Sequence, residues 1–350
     1  MVLSLASTAN ASRRASLHGD IMLEDVTDVY AMPQLLLKYR NLMRIQMGTS
    51  NSVGDGLFIF GTETMAFALA AHRTDQTGPF AGLLADRSGG SSVLNGWQSY
   101  AGVNGPYNSA GTVFDAMLSI AMGDDAALGF RLGFGHGGTA ADDGNGNTGN
   151  NTTTGILLEG GYSMTGDTRM DLGLSIAIGL GSDDAAQTSG SDIGIGAHLR
   201  MYLPMDDQVE LGIVGGVNLR FAGITPDNGG GGTSEFDLAL LFGAGPVYKL
   251  EKARISGYGF VSFSTQSDDP NIDGDNDATS VTNLTIPGIH MALEVDLTDW
   301  FIFRGGLEAA WTLTSNGNEA NDATNGTREV AYGWSSGFGL VFDRFTFDLA

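Results

Sequence analysis

From Thr168 to Gly181 the chain alternates without a break. Met170, Leu172, Leu174, Ile176, Ile178 and Leu180 are large and apolar, whereas Asp171, Gly173, Ser175, Ala177 and Gly179 between them are small or charged. A period of two puts the first set on one face of a strand and the second on the other. A soluble strand usually runs to about 5–6 residues, and a strand crossing a bilayer needs roughly 9–11. The stretch therefore fits a membrane strand, with Leu and Ile toward lipid and small or polar residues toward a lumen. A long strand of a soluble sandwich is the alternative for this one segment, and repetition of the pattern decides between them.

The pattern repeats. Strand-like segments are 41–48, 55–61, 65–72, 112–122, 126–136, 153–164, 168–181, 192–203, 209–222, 235–250, 253–264, 281–297, 300–313, 328–342 and 345–350. Their connections alternate in length. Short turns such as Gly123-Asp124-Asp125, Thr165-Gly166-Asp167 and Glu251-Lys252 alternate with longer polar loops at 73–111, 137–152, 182–191, 223–234, 265–280 and 314–327. Outer-membrane barrels have short periplasmic turns and long extracellular loops, and a sandwich has no reason to put every long loop at one end. The expected fold is all-β: a transmembrane antiparallel up-and-down barrel of about 14 strands, or 16, because bacterial single-chain barrels carry an even number. Fifteen segments do not fit that parity. Either one early segment is not a strand, or the chain is cut short within the last. Within 73–111, Phe80, Leu83, Leu84 and Trp97 suggest a short helix or packing into the lumen.

Composition agrees. The 350 residues are 42% hydrophobic and include 53 Gly, and no run of about 18 apolar residues marks a membrane helix. A formal charge of −23 argues against nucleic acid as a partner. Zero Cys excludes disulfides and thiolate metal sites.

The first 40 residues stand apart. Residues 1–11 end in Ala9-Asn10-Ala11, the small-x-small form of a signal-peptidase site, and read as the remnant of a cleaved export signal. Residues 12–40 carry Arg13, Arg14, His18, Asp20, Glu24, Asp25 and Asp28 before the cluster Met32-Pro33-Gln34-Leu35-Leu36-Leu37. They lack the period of two and read as a short helix or plug at the periplasmic mouth, with the barrel itself over 41–350.

Alternation also assigns the lumen. On 192–203, Ile193, Ile195, Ala197, Leu199, Met201 and Leu203 face out, so Gly194, Gly196, His198, Arg200 and Tyr202 face in. On 209–222, Asn218 and Arg220 face in. The same reasoning turns Asp115, Arg131, Glu159, Asp171, Asp237, His290, Glu294, Arg304 and Glu308 inward, since Arg or Lys at the lipid midplane would cost about 2–4 kcal/mol. Arg131 and Glu159 lie on successive strands and are expected to pair. The turn at Pro204 to Asp207 places Arg220 near Asp192 and Glu210 diagonal to Arg200. These inward residues have two readings. They bond to one another and to a plug, or they line a passage that contacts a substrate. The inward glycines leave volume that a plug or water must occupy.

The sequence points away from catalysis. It has no Gly-x-Ser-x-Gly elbow and no His-Glu-x-x-His helix. Asp269-Pro270-Asn271-Ile272-Asp273-Gly274 matches the first half of a calcium loop, so Asp269, Asn271, Asp273 and Asp275 are candidate Ca²⁺ ligands within 269–280. The flanking helices are missing and position twelve is Ser280. A solvated acidic loop, with no cofactor, is the other reading.

The architecture is similar to the fatty-acid-transporter (FadL-like) and PorV-type outer-membrane barrels. Tyr30-Ala31-Met32-Pro33-Gln34-Leu35, with Tyr39 and Asn41 leading into the first strand, takes the place of that family's Asn-Pro-Ala element; Pro33 matches, Met32 replaces Asn and Gln34 replaces Ala. The resemblance implies a Gram-negative outer-membrane location. It also implies a transporter or porin-like channel for small, hydrophobic or amphipathic molecules, working through the N-terminal segment. The alternative from another class is a non-conducting barrel that presents acidic loops to a protein partner.

Overall fold

A computed structural model describes residues 13–46, 55–71, 112–142, 148–166, 168–183, 188–226, 232–270, 279–318, 323–342 and 345–349. The strands are β1 (Leu42–Gln46), β2 (Asp55–Gly61), β3 (Met65–Ala71), β4 (Thr112–Ala121), β5 (Ala126–Asp142), β6 (Thr148–Thr165), β7 (Arg169–Asp183) and β8 (Thr188–Pro204). They continue with β9 (Val209–Pro226), β10 (Thr233–Lys249), β11 (Ala253–Pro270), β12 (Thr279–Thr298), β13 (Phe301–Asn318), β14 (Ala323–Phe342) and β15 (Phe345–Leu349). Each pairs antiparallel with its sequence neighbours in one 15-stranded sheet, ordered β1 to β15. All fifteen segments read from the sequence are strands, so the described residues hold one strand more or fewer than the even numbers expected. Among them, β1 and β15 form the two edges of the sheet. No described helix is long and apolar enough to cross a membrane.

Most of the central strands run several residues further than the alternation of apolar side chains. β5 reaches Asp142, β9 Pro226, β11 Pro270 and β13 Asn318, and β6 begins at Thr148. Antiparallel pairing is made by backbone groups and needs no apolar face. Strands of 15 residues (β7) to 20 residues (β12, β14) exceed the roughly 9–11 that cross the hydrocarbon, so their Thr-, Asn- and Gly-rich ends project beyond it.

The two faces of the wall differ as the alternation requires. On β7, Leu174 is 55% exposed and Ile176 49%, while Asp171 is 2% exposed. On β8, Ile193 and Ile195 are exposed and Arg200 is fully buried. The same outward belt carries Phe130 and Phe134 on β5, Leu158 on β6, Phe242 on β10 and Trp311 on β13.

The inner face encloses residues 13–41. This segment consists of a short helix α1 (Arg13–Ser16) and two 3-10 turns, Val26–Tyr30 and Pro33–Tyr39. His18 (φ 53°) and Gly19 (φ 74°), both left-handed, turn the chain after α1. Leu17, Ile21, Met22, Val29, Tyr30, Met32 and Leu36 are buried in one cluster with Leu57, Ala66, Ala68, Val214, Leu241 and Phe260 of the wall. α1 packs against β13, β14 and β15, and the second 3-10 turn packs against β2 to β6. The segment thus crosses the lumen and touches strands next to both edges of the sheet.

Single cysteines test the two faces. Those replacing Leu174, Ile176 and Leu199 should react with a lipid-phase maleimide in reconstituted vesicles, and those replacing Ser175 and Arg200 should stay unlabelled. The reverse pattern would overturn the register.

Candidate functional site in the lumen

The site is the contact between residues 13–41 and the inner wall, and it begins with glycine. A Cβ at Gly129 would overlap the backbone of Pro33 and Gln34, at Gly161 the Gln34 side chain, at Gly173 the Ala31 carbonyl and His198, and at Gly306 the backbone of Leu17. Only a wall without side chains at these points lets a second backbone lie this close. Gly161 and Gly173 oppose one another on β6 and β7, which forms a slot for Gln34. The Gln34 amide donates to the carbonyls of Tyr162 and Leu172, each at 3.3 Å.

Charges fasten the segment at points around the wall. Arg200 Nη1 donates to Asp28 Oδ2 at 2.6 Å and to the Ile21 carbonyl at 3.2 Å, and its Nε and Nη2 reach Asp171 Oδ2. Asp28 serves two ends, since the same Oδ2 accepts from the Asp25 backbone N–H at 3.1 Å in a reciprocal capping box. Arg131 donates to Asp115 at 2.9 Å, to Glu159 at 3.0 Å and to the Tyr30 carbonyl. His198 Nε2 donates to the Ala31 carbonyl at 2.8 Å, and Tyr202 Oη donates to the Met22 carbonyl at 2.6 Å.

The opposite side of the lumen carries a matching set. Arg13 forms a two-pronged bond to Glu294, at 2.6 and 3.0 Å, and pairs with Asp25 at 3.1 Å. Glu294 also accepts from Arg304 Nε at 2.7 Å, and Arg304 reaches on to Asp348 of β15 at 2.5 Å. Burial alone would lower the Arg13 pKa, but its bond to Glu294 and the nearby Asp25 charge hold it above the ordinary value. Burial, reinforced by Asp28 and Asp25, pushes the Tyr39 phenol up. His290 donates from Nε2 to the His18 carbonyl at 3.0 Å, and its Nδ1 lies 3.1 Å from Asp20 Oδ2. Asp20 also accepts from Ser256 Oγ at 2.6 Å and caps the N–H groups of Met22 and Leu23. At the short-turn end of the wall Glu24 pairs with Lys38 and Arg169, and Arg169 stacks over the Tyr202 ring, 3.7 Å from its centroid.

The structure brings the inward residues into several separate groups. Arg131 and Glu159 face each other across β5 and β6 and pair. Glu308 lies opposite His290, and Arg304 opposite Glu294. Arg220 pairs with Glu235 at 3.2 Å and Asp237 at 2.9 Å on β10, although it also lies diagonal to Asp192, which opposes Ala222. Asn218 is exposed on the inner face. One register expectation is corrected. Glu210 opposes Pro204, not a neighbour of Arg200, and pairs with Arg169 and Lys249 instead. Arg200 takes Asp171 from β7 and Asp28 from inside. Strand alternation reports only wall neighbours, so it could not supply a partner from a non-strand segment. The acids Asp20, Glu24, Asp25 and Asp28, set against the inward Arg131, Arg169, Arg200 and Arg304, were the available signal. Residues 1–11, the 73–111 loop, Asn271, Asp273 and Asp275 lie outside the described residues, and Asp269 is the next-to-last residue of β11.

No protein-family model matches the chain, and no curated protein matches it. Several solved structures are similar to it. The ferric citrate transporter FecA in its unliganded form is 10% identical over 82% of this chain and 52% of that one, with a TM-score of 0.46. The copper transporter OprC is 14% identical over 66% of this chain and 41% of that one, at 0.45. The FrpB iron transporter from Neisseria meningitidis is 9% identical over 83% and 57%, at 0.44. The chain spans about half the length of these structures.

Removing one partner of a buried ion pair costs about 3–5 kcal/mol, because the other charge stays buried. Asp28→Ala should therefore lower the unfolding free energy of the folded barrel by that amount, read from urea titrations by tryptophan fluorescence in micelles. Gly161→Leu should release residues 30–36, seen as new proteolytic cleavage there with the sheet intact.

Proposed function

We propose that the protein is a bacterial outer-membrane barrel that passes small molecules through a lumen controlled by residues 13–41. The observation that carries this reading is how the segment is held. It contributes no strand before Leu42, and its ties to the wall are side-chain ion pairs, side-chain hydrogen bonds and apolar packing. Such ties can exchange for ties to water or solute while the backbone ladder of the wall stays whole. The continuous outward belt of Leu, Ile and Phe supports the membrane location, since lipid is the medium in which that much exposed apolar surface is stable. The resemblance of Tyr30 to Leu35 to the fatty-acid-transporter element supports hydrophobic or amphipathic cargo. A second reading, a non-conducting scaffold, is favoured by the density at the level of Arg200, Tyr202 and His290, each of them 0–1% exposed.

Planar-bilayer conductance separates the two. The full chain should give small or rare steps, and deletion of residues 12–40 should give large ones. Asp28→Asn, which keeps the segment but weakens its tie to Arg200, should give intermediate opening. Silence from all three, with a folded barrel in each, would favour the scaffold.

A further inference from the structure

The outer wall is not convex everywhere. A depression of about 780 Å³ lies on the lipid side of β3 to β9. Volumes of roughly 300–1,000 Å³ are those of ligand sites. Its lining is almost wholly apolar, and its rim is formed by outward side chains, among them Phe67, Leu132, Leu158, Leu174 and Ile176. The outward positions between them are small. Ala116, Gly160 and Ala197 leave the space open, and a Cβ built at Gly160 meets nothing within 4 Å.

The floor is a single register line. Met117 opposes Arg131, Arg131 opposes Glu159, Glu159 opposes Ser175 and Ser175 opposes Gly196. All five line the depression although alternation sends their side chains to the lumen. The inner surface of this part of the wall is tied to residues 30–34, through Arg131 to the Tyr30 carbonyl, His198 to the Ala31 carbonyl and Ser119 to the Gln34 carbonyl.

We propose that this depression is a lipid site, in which an acyl chain of a membrane phospholipid is held against the wall for longer than ordinary boundary lipid. The proposal rests on the membrane reading above. Lipid is the occupant because the depression is continuous with the apolar belt that faces the hydrocarbon. The surface it exposes is almost wholly apolar, since Arg131 and Glu159 in its floor engage their side chains in ion pairs with Asp115 and with each other, which leaves little for a headgroup or a soluble ligand. A chain lying there fills the concavity that a bilayer would otherwise have to span, and restores contact with atoms on all sides. The bound chain braces the wall from outside where residues 30–34 brace it from inside.

The test uses the full chain, reconstituted into vesicles of phosphatidylethanolamine and phosphatidylglycerol, re-extracted in mild detergent and weighed by native mass spectrometry. The native protein should retain phospholipid through delipidation. Gly160→Trp, which fills the depression, should retain at least about fivefold less, and Ile289→Trp on the outer face of β12 should match the native protein. A second filling variant, Ala197→Trp, covers a failure of the first to fold. Equal retention by native and filled variants, or no retention by any, would overturn the site. A dimer that Gly160→Trp dissolves would assign the depression to a second copy of the chain and would also overturn it. Failure of the membrane reading looks different: the protein would stay monodisperse without detergent and would not enter the vesicles.

Discussion

The structure depends on placing ionised groups where hydrocarbon cannot reach them. Arg131, Arg200 and Arg304 sit on strands whose other face is Leu, Ile and Phe. Facing lipid, each would cost a few kcal/mol; facing a lumen without partners, each would be a buried charge. The solution is carboxylates from two directions. Glu159, Asp171 and Glu294 come from neighbouring strands to Arg131, Arg200 and Arg304, and Asp28 comes to Arg200 from the segment inside, where Asp20 likewise meets the wall's His290. The wall and the segment are therefore specified together.

Glycine gives this electrostatic fit its shape. Gly129, Gly161, Gly173 and Gly306 remove side chains from the wall where the segment's backbone runs, so that carbonyls of Tyr30, Ala31 and His18 come within reach of Arg131, His198 and His290. A wall with larger inward residues would hold the segment further off, and those donors would need water. The same small residues on the outer face, at Ala116, Gly160 and Ala197, leave the lipid-side depression. One compositional choice thus shapes both surfaces of β4 to β8.

The arrangement also relates the segment to the edges of the sheet. Among the described residues β1 and β15 are not paired with each other. α1 lies against β13 to β15, the second 3-10 turn against β2 to β6, and Arg13, Glu294, Arg304 and Asp348 form a chain of charges that ends on β15. The segment is a strut across the lumen as well as its filling, which couples any movement of it to the strands beside the edges.

The alternation in Thr168 to Gly181 and its repetitions located the strands and assigned the facing of 170–180 on β7 and 193–203 on β8 and the inward position of Arg131, Glu159, Asp171 and Arg304, because period two is a local property that each strand carries alone. Adjacent-strand register was less legible: Arg131 and Glu159 were expected to pair because they lie inward on successive strands, whereas the register taken from the turn at Pro204 to Asp207 put Glu210 beside Arg200 when it opposes Pro204. Strand ends were not legible, since backbone pairing continues through Thr- and Asn-rich residues that carry no hydrophobic signal. Tertiary structure alone decided which carboxylate serves Arg200. Asp28 is 172 residues away in sequence and lies on a 3-10 turn with no periodic pattern, so only the folded lumen brings the two together. It alone also decided where the wall dips, because concavity is a property of six or seven strands at once and is written in none of them singly.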